Sequence, residues 1–337
     1  MRTKYDEYRE RKIAFYVEGI RSGRRRFPPS LQIALTDSCF NRCIMCGHWK
    51  RADKHTLDPQ RLKVFQIHAV LGGLETICYS GGDPLAYPHI NEMMEFNAHN
   101  DIKFGLITAG YCPGSIDMGL LAKAEWIRVS LDSLDDATYN CIRGGDITAS
   151  MVCDSVIAMA NNSCNVQLGI TLTKHNCEEL PKLARFAVHT GRSSVSVWPV
   201  RNSPDLCAPT KYAVEKLFEA RRILDNYGIN NNFEDALGIV MSGEEVYSGR
   251  CYAPLFQLFI GADGNVFPCC IAAGDACNGA KGDALANISS DSVYGIMLAA
   301  YNFSNNFVRH PYCQGCTRRL QTISMVASKL WDNKHFI

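Results

Sequence analysis

The residues with the clearest chemical potential are three cysteines spaced Cys39-x3-Cys43-x2-Cys46. They directly follow LQIALT (31–36), an apolar segment that predicts a buried strand. Three thiolates on one short loop can bind three irons of a cubane cluster and leave the fourth iron open to an outside ligand. An open iron implies chemistry rather than electron storage alone. A three-ligand zinc site and three buried free thiols are the alternative interpretations.

A second set of cysteines lies near the C-terminus, and its members are Cys251, Cys269, Cys313 and Cys316. Asp263-Gly264 predicts a hairpin turn shortly before the second of them. Four thiolates complete the coordination of an iron–sulfur cluster, but tetrahedral sulfur ligation also suits a structural zinc ion. Cys270 is adjacent to Cys269, so either of the two can serve as the ligand.

The composition favours metal chemistry over disulfides. The chain has 337 residues, 16 cysteines and a net charge of +1. Its start contains no signal-peptide core and no segment is apolar over a membrane-spanning length, so we expect a cytoplasmic protein without a membrane partner. A reducing compartment does not favour disulfides. The balanced charge gives no reason to expect a nucleic-acid partner.

The elements that must position these cysteines follow an alternating rhythm. Amphipathic helical stretches separate six strand candidates: LQIALT (31–36), LETICYS (74–80), IKFGLIT (102–108), WIRVSL (126–131), VQLGITLT (166–173) and SVSVWPV (194–200). Alternation implies right-handed βαβ crossovers and a parallel sheet. We therefore predict an α/β fold, a partial (βα)6 TIM-like barrel whose chemistry lies at the carboxyl ends of the strands. The predicted domains are a helical lead-in (1–30), the barrel (31–235) and a small cysteine-rich module (236–337).

The triplet after the first strand resembles the signature of the radical S-adenosylmethionine (SAM) superfamily. Ser80-Gly81-Gly82-Asp83-Pro84, after the second strand, is similar to the Gly-Gly-Glu-Pro turn of that family, with Asp83 in place of the usual Glu. The resemblance implies a [4Fe–4S] cluster on the three cysteines, whose open iron binds SAM. Reductive cleavage of SAM then gives a 5′-deoxyadenosyl radical. Met45 stands where the family usually has an aromatic residue near the adenine.

The resemblance also implies further SAM contacts. The turn that contains Ser80 and Asp83 approaches the methionyl amino group through the backbone of its paired glycines. Ser130 and Arg143 correspond to a serine and an arginine that bind the methionine carboxylate. Thr108 and Thr173 follow the third and fifth strands and complete the predicted cofactor-binding set.

The C-terminal cysteines resemble the auxiliary-cluster module of the SPASM and twitch subfamilies. The resemblance implies a second [4Fe–4S] cluster and favours Cys269 over Cys270 as a ligand. The set is closer to the shorter twitch form, because no cysteine follows Cys316.

For the reaction, relatives that the chain resembles favour oxidation or epimerisation of a small polar substrate, such as a sugar, an aminocyclitol or a nucleoside-like compound. The auxiliary cluster would accept an electron, and a flavodoxin or ferredoxin would supply one from outside. Cys207 is the candidate hydrogen donor and Arg201 the candidate substrate-binding residue.

Two alternative functions stay open. The first is maturation of a peptide, although about 30 residues before the first strand are few for a separate peptide-recognition domain. The second is a non-catalytic iron–sulfur or zinc-binding scaffold.

Overall fold

The computed structural model describes residues 4–23, 27–200, 203–243, 248–274, 282–310, 313 and 318–331. In this part of the chain the α-helices are α1 (Lys4–Arg21), α2 (Pro59–Leu71), α3 (Ile90–His99), α4 (Met118–Leu121), α5 (Asp136–Arg143), α6 (Ala149–Asn161), α7 (Leu180–His189), α8 (Thr210–Asn226), α9 (Phe233–Ser242), α10 (Val293–Asn305) and α11 (Arg318–Trp331). The β-strands are β1 (Ser30–Ala34), β2 (Thr76–Ser80), β3 (Lys103–Thr108), β4 (Trp126–Ser130), β5 (Val166–Leu172), β6 (Ser194–Pro199), β7 (Asn230–Asn231), β8 (Gln257–Ile260), β9 (Asn265–Phe267) and β10 (Ala286–Asn287). None of the described helices has both the length and the apolar character that crossing a membrane requires.

One compact unit comprises residues 34–56 and 78–245. Its strands lie in the order β2-β3-β4-β5-β6-β7, and the pairs from β3 to β7 are parallel. Val129 of β4 lies opposite Thr108 of β3 and Leu168 of β5. The parallel register brings the carboxyl ends of these strands to one edge, so the predicted alternation of strands and helices and the parallel sheet are confirmed.

Local sequence explains how the strands and helices of this unit are fixed near the site. In β5 the side chains alternate between buried and half-buried positions, as expected for a strand covered by helices on one face. Asp135 caps α5 by accepting a hydrogen bond from the Thr138 amide, and Thr148 caps α6 in the same way. Tyr139 and Ile142 anchor the buried face of α5. The cap and the buried face of α5 therefore fix the position of its last residue, Arg143.

The second unit comprises residues 1–33, 57–77 and 246–337. In it β1 pairs with β8 in parallel, and β8 pairs with β9 as an antiparallel hairpin. Gly264 adopts a φ of +79° in the turn, a conformation that favours glycine, so the predicted hairpin is confirmed. β10 adds an antiparallel edge to β9.

The N-terminal helix packs within this second unit. Ile13, Tyr16 and Val17 of α1 form an apolar cluster with residues after Cys251 and with Ala327 of α11. Tyr16 donates its hydroxyl to Glu75 at 2.5 Å. The predicted lead-in helix is present, and it ends at Arg21, before the prolines at positions 28 and 29. The domain boundaries at 30 and 235 stay predictions.

Candidate active site

The triplet cysteines lie on the loop after β1, and each sulfur accepts one N–H hydrogen bond. For Cys39 and Cys46 the donor is the backbone amide two residues further along, at 3.5 Å and 3.4 Å. For Cys43 the donor is Nη1 of Arg143, at 3.6 Å. Such donors reduce the negative charge on a thiolate sulfur, and they are one of the ways in which a protein tunes an iron–sulfur cluster.

Neighbouring thiols influence the ionisation of Cys39 and Cys43. Burial, the charge of Asp83 and the two other thiols raise the pKa of Cys39 to about 12. Burial also raises the pKa of Cys43, against the lowering effect of the Arg143 charge. A bound cationic cluster reverses this, since metal ions deprotonate the thiols that coordinate them. The mutual influence and the N–H donors fit a cluster ligated by Cys39, Cys43 and Cys46.

A single metal ion requires a tighter arrangement than a cubane cluster does. In the described part of the chain, no three His, Cys, Asp or Glu side chains converge on one ion position. A cubane cluster has wider spacing, because each thiolate binds a different iron.

The Gly81-Gly82 turn packs against the backbone of the cysteine loop. The Gly82 amide donates to the Thr36 carbonyl and the Asp83 amide donates to the Ser38 carbonyl, both at 2.8 Å. A Cβ at Gly81 would lie 2.6 Å from the Thr36 oxygen, and one at Gly82 would overlap the Ser38 carbonyl. The described neighbours of these glycines are therefore loop backbone, whereas the sequence suggested close approach to the methionyl amino group. That approach stays a prediction.

A second glycine pair holds the same loop from another side. The Arg42 amide donates to the Arg143 carbonyl at 2.8 Å. A Cβ at Gly145 would lie 2.6 Å from the Phe40 oxygen, and one at Gly144 would lie 3.0 Å from the Arg42 oxygen. The sequence analysis assigned no role to these glycines. Both pairs are needed because backbone lies against backbone where a side chain would not fit.

Asp83 is fully buried and accepts three hydrogen bonds. Oδ1 accepts from the Leu85 amide at 2.9 Å and the Thr108 hydroxyl at 2.8 Å, and Oδ2 accepts from the Ala109 amide at 2.8 Å. Burial raises the pKa of Asp83 to about 6, although these hydrogen bonds oppose the rise. The predicted residues Asp83 and Thr108 thus contact each other directly.

Asp83 should make the stability of the apo-protein depend on pH. Its pKa lies above the ordinary 3.8, so its contribution to stability is complete below pH about 4 and is lost as the pH rises through about 6. The loss is about 3 kcal/mol in the free energy of unfolding. Urea unfolding at a series of pH values should show this decline in the wild type, and the difference curve against Asp83→Asn should isolate it. Parallel curves for the two proteins would contradict the assignment.

Arg143 links a buried carboxylate to the triplet. Its Nε lies 2.6 Å from Oδ2 of Asp132, which is fully buried. The other Asp132 oxygen accepts from the Thr171 amide at 2.7 Å. Burial alone would lower the pKa of Arg143, but Asp132 and Cys43 raise it well above the ordinary value, so the guanidinium stays charged. No role for Asp132 was predicted from the sequence.

Asp37 and His48 join the two ends of the cysteine loop, and the sequence analysis missed both. Nε2 of His48 lies 2.8 Å from Oδ1 of Asp37, and Nη1 of Arg51 lies 3.4 Å from the same oxygen. The His55 amide donates to Oδ2 at 3.0 Å. Burial alone would raise the pKa of Asp37, but these hydrogen bonds and the charges of His48 and Arg51 lower it. Its position two residues before Cys39 was the available indication.

The other predicted cofactor contacts lie near the same ends of strands. Ser80 ends β2 and is buried, and its carbonyl accepts from the Leu35 amide at 3.1 Å. Ser130 ends β4 and is half-buried, as is Met45 on the cysteine loop. Thr173 follows β5 and is buried, and its hydroxyl donates to Oδ1 of Asn176 at 3.1 Å. Their SAM contacts stay predictions.

Of the two predicted catalytic residues, only Cys207 lies within the residues that the structure describes. Cys207 is exposed, and its thiol donates to the Ser203 carbonyl at 3.6 Å. The preceding Leu206 carbonyl accepts from the Lys174 amide at 2.8 Å, so this segment lies beside the carboxyl end of β5. Arg201 lies outside the described residues.

Cys251, the first cysteine of the C-terminal set, contacts helix α11. Ser324 of α11 donates its hydroxyl to Cys251 Sγ at 3.9 Å. Burial raises the pKa of Cys251, and the Cys313 thiol raises it further. Cys316 lies outside the described residues.

Cys269 and Cys270 follow β9 and are both half-buried. The sulfur of Cys269 accepts a hydrogen bond from the amide three residues later, at 3.4 Å. This N–H donor resembles those at the triplet, and the assignment of Cys269 as the ligand stays a prediction.

Comparison with known families accounts for both cysteine sets. The Radical SAM superfamily matches residues 33–187, and the SPASM iron–sulfur cluster-binding domain matches residues 251–317. The first match includes the triplet, both glycine pairs and Arg143, and the second includes all four C-terminal cysteines.

Relatives and solved structures extend this agreement. The chain is 24% identical over 314 residues to the PqqA peptide cyclase of Xanthomonas campestris, covering 87% of this chain and 80% of the relative. It is 22% identical to the subtilosin biosynthesis protein AlbA of Bacillus subtilis, covering 74% and 57%.

Two solved structures show the same fold. Streptococcus suis SuiB bound to S-adenosylmethionine has a TM-score of 0.68 at 16% identity and covers 96% of this chain and 78% of SuiB. Native anSMEcpe with bound AdoMet and a Cp18Cys peptide has a TM-score of 0.62 at 18% identity, with 88% of each chain covered. The predicted TIM-like partial barrel is confirmed.

The fold and the site therefore define a radical SAM enzyme. The chain carries a Radical SAM domain followed by a C-terminal SPASM domain. Its cofactors are a SAM-binding [4Fe–4S] cluster, an auxiliary cluster and SAM, which confirms the predicted set and replaces the zinc, free-thiol and non-catalytic alternatives. The shorter twitch form stays a prediction.

Proposed function

We propose that this radical SAM enzyme modifies a peptide. The observation that carries the proposal is the similarity to a PqqA peptide cyclase over 87% of the chain. The similarity to SuiB bound to the precursor peptide SuiA, with a TM-score of 0.67 at 17% identity over 91% of this chain and 73% of SuiB, supports it. These relatives favour the peptide alternative over the sugar or aminocyclitol substrate that the sequence alone suggested.

The site residues have the following roles in this proposal. Cys39, Cys43 and Cys46 hold the SAM-binding cluster, and SAM supplies a hydrogen-abstracting radical when it is bound and reduced. The C-terminal cysteines, with Cys269 among them, hold the auxiliary cluster. A flavodoxin or ferredoxin supplies the electron from outside.

Arg143 and Asp83 retain capacity to bind SAM. A guanidinium has five N–H donors, and Arg143 uses Nε on Asp132 and Nη1 on Cys43, so donors remain for a methionine carboxylate. The carboxylate of Asp83 accepts three hydrogen bonds out of about four lone-pair sites, which leaves room for an amino group. Ser130, at the end of β4, completes the carboxylate site.

The proposal is tested with peptides. The anaerobically reconstituted enzyme is incubated with SAM, dithionite and synthetic peptides. The peptide sequences are those encoded by short reading frames beside the gene of the enzyme, and the products are analysed by mass spectrometry. We expect one peptide to lose two hydrogen atoms and to increase 5′-deoxyadenosine formation, and Cys43→Ala should show neither effect. Conversion of a sugar or aminocyclitol, with every peptide unchanged, would overturn the proposal.

Cys207 distinguishes the possible outcomes on a peptide. Cyclisation or oxidation returns no hydrogen to the substrate, whereas epimerisation does. Cys207→Ala should therefore leave a cyclised or oxidised product unchanged. Loss of product in this variant, with 5′-deoxyadenosine still formed, would instead support hydrogen return from the thiol.

A further inference from the structure

Two of the three triplet sulfurs accept N–H donors that buried aspartates hold in place. At Cys46 the donor is the His48 amide, at 3.4 Å. The imidazole of the same residue lies 2.8 Å from Asp37, and the two side chains are 4% and 1% exposed. Asp37 therefore fixes the residue whose backbone contacts the sulfur.

The arrangement at Cys43 is similar but comes from the opposite side of the loop. The donor is Nη1 of Arg143, at 3.6 Å. Its Nε lies 2.6 Å from Asp132, whose side chain is 0% exposed. The Thr171 amide fixes the other oxygen of that carboxylate, so the guanidinium has little freedom to turn away from the sulfur.

The third sulfur shows the contrast. The donor to Cys39 is the Asn41 amide, and the Asn41 side chain donates to the Tyr139 hydroxyl and the Gly144 carbonyl, both at 3.3 Å. This residue is anchored without charge. Among the residues that the structure describes, charged anchors therefore occur at Cys43 and Cys46 and not at Cys39.

We propose that Asp37 and Asp132 are positioning residues for the SAM-binding cluster. They hold the N–H donors at Cys46 and Cys43, and they thereby set how firmly the cluster is retained and at what potential it is reduced. The physical basis is that groups around a metal ligand orient it and tune the metal, and hydrogen bonds to sulfur are one determinant of cluster potential. The inference rests on the assignment of the three cysteines as ligands, and no substrate is involved.

The test uses the reconstituted full-length holoenzyme and the variants Asp37→Asn and Asp132→Asn. The rate of iron loss to a chelator is measured, and an EPR-monitored titration gives the reduction potential. Added SAM perturbs only the cluster that has an open iron, which separates its spectrum from that of the auxiliary cluster. We expect this cluster to lose iron about tenfold to a hundredfold faster and to be reduced at a potential different from that of the wild type. The auxiliary cluster should be unchanged.

Asp117→Asn is the matched control. Asp117 caps α4 by accepting the Leu120 amide at 3.0 Å, and asparagine caps a helix about as well as aspartate does. The chemical change is the same, and this residue contacts no triplet cysteine in the described structure. Iron loss and potential should equal those of the wild type.

Several outcomes would overturn the proposal. One is that both aspartate variants match Asp117→Asn in iron loss and potential. Another is that both clusters are lost together with a lowered melting temperature, which would show a role in folding only. A variant that does not fold is replaced by His48→Gln or Arg143→Lys, which remove the same contacts from the other side. Persistence of a SAM-sensitive cluster in Cys46→Ala would instead refute the ligand assignment.

Discussion

Replacement of Cys39, Cys43 and Cys46 together by alanine should abolish 5′-deoxyadenosine formation and halve the iron content. Two cubane clusters give about eight irons per chain, and loss of the first leaves about four. The effect should be complete because SAM has no other open iron to bind. Iron analysis after anaerobic reconstitution, followed by a 5′-deoxyadenosine assay with dithionite and SAM, measures both quantities.

Cys153→Ala is the control for this experiment. Cys153 is a half-buried thiol on α6 that belongs to neither cysteine set, so its removal should change neither iron content nor 5′-deoxyadenosine. If the triple variant retained about eight irons, the cysteine assignment would be wrong. If the wild type itself held about four, the C-terminal set would not carry a cubane cluster.

Gly82→Ala should disrupt the cysteine loop without removing any ligand. The added Cβ would overlap the Ser38 carbonyl. Two backbone hydrogen bonds of 2.8 Å, from Gly82 and Asp83 to the loop, prevent an easy shift. Overpacking of this kind costs about 3 kcal/mol. Urea unfolding of the apo-protein should report that loss of stability. After reconstitution, the cluster of the cysteine triplet should be largely absent.

Gly114→Ala provides the matched comparison. A Cβ at Gly114 meets no atom within 4 Å, and this glycine is not among those with positive φ. Its replacement should leave stability unchanged or slightly raised, because alanine restricts the unfolded chain. Equal cluster content in the two alanine variants would show that the Gly82 turn does not hold the loop.

The sequence predicted the repetitive part of the fold well. Runs such as VQLGITLT and SVSVWPV became β5 and β6, because buried parallel strands require apolar, β-branched side chains. Helix ends also follow from local backbone geometry: Asp58 caps α2, and Gly191 follows α7 with a φ of +64°. Spacing alone identified the triplet because ligands on one loop are close in sequence.

Several contacts of the site could not be predicted from the sequence, because they join residues whose pairing depends on the fold. Asp37 and His48 have the composition of an exposed loop, and only the fold buries them against each other. Asp132 gains its partner Arg143 because α5 returns to the end of β4. No periodicity encodes either pairing. The glycines at 81 and 82 were attributed to ligand approach, and their packing against the loop could not be read from a dipeptide.

The packing of α1 against α11 has a consequence for folding during synthesis on the ribosome. Tyr16 in α1 packs on residues near Cys251, while Ser324 of α11 contacts the Cys251 sulfur. All residues of the unit built from 34–56 and 78–245 precede residues 246–337 in the chain, so this unit can fold first. Helix α1 is translated before α11 and cannot complete its apolar cluster until α11 has emerged. The contacts around Cys251 therefore form after the first unit can already have folded.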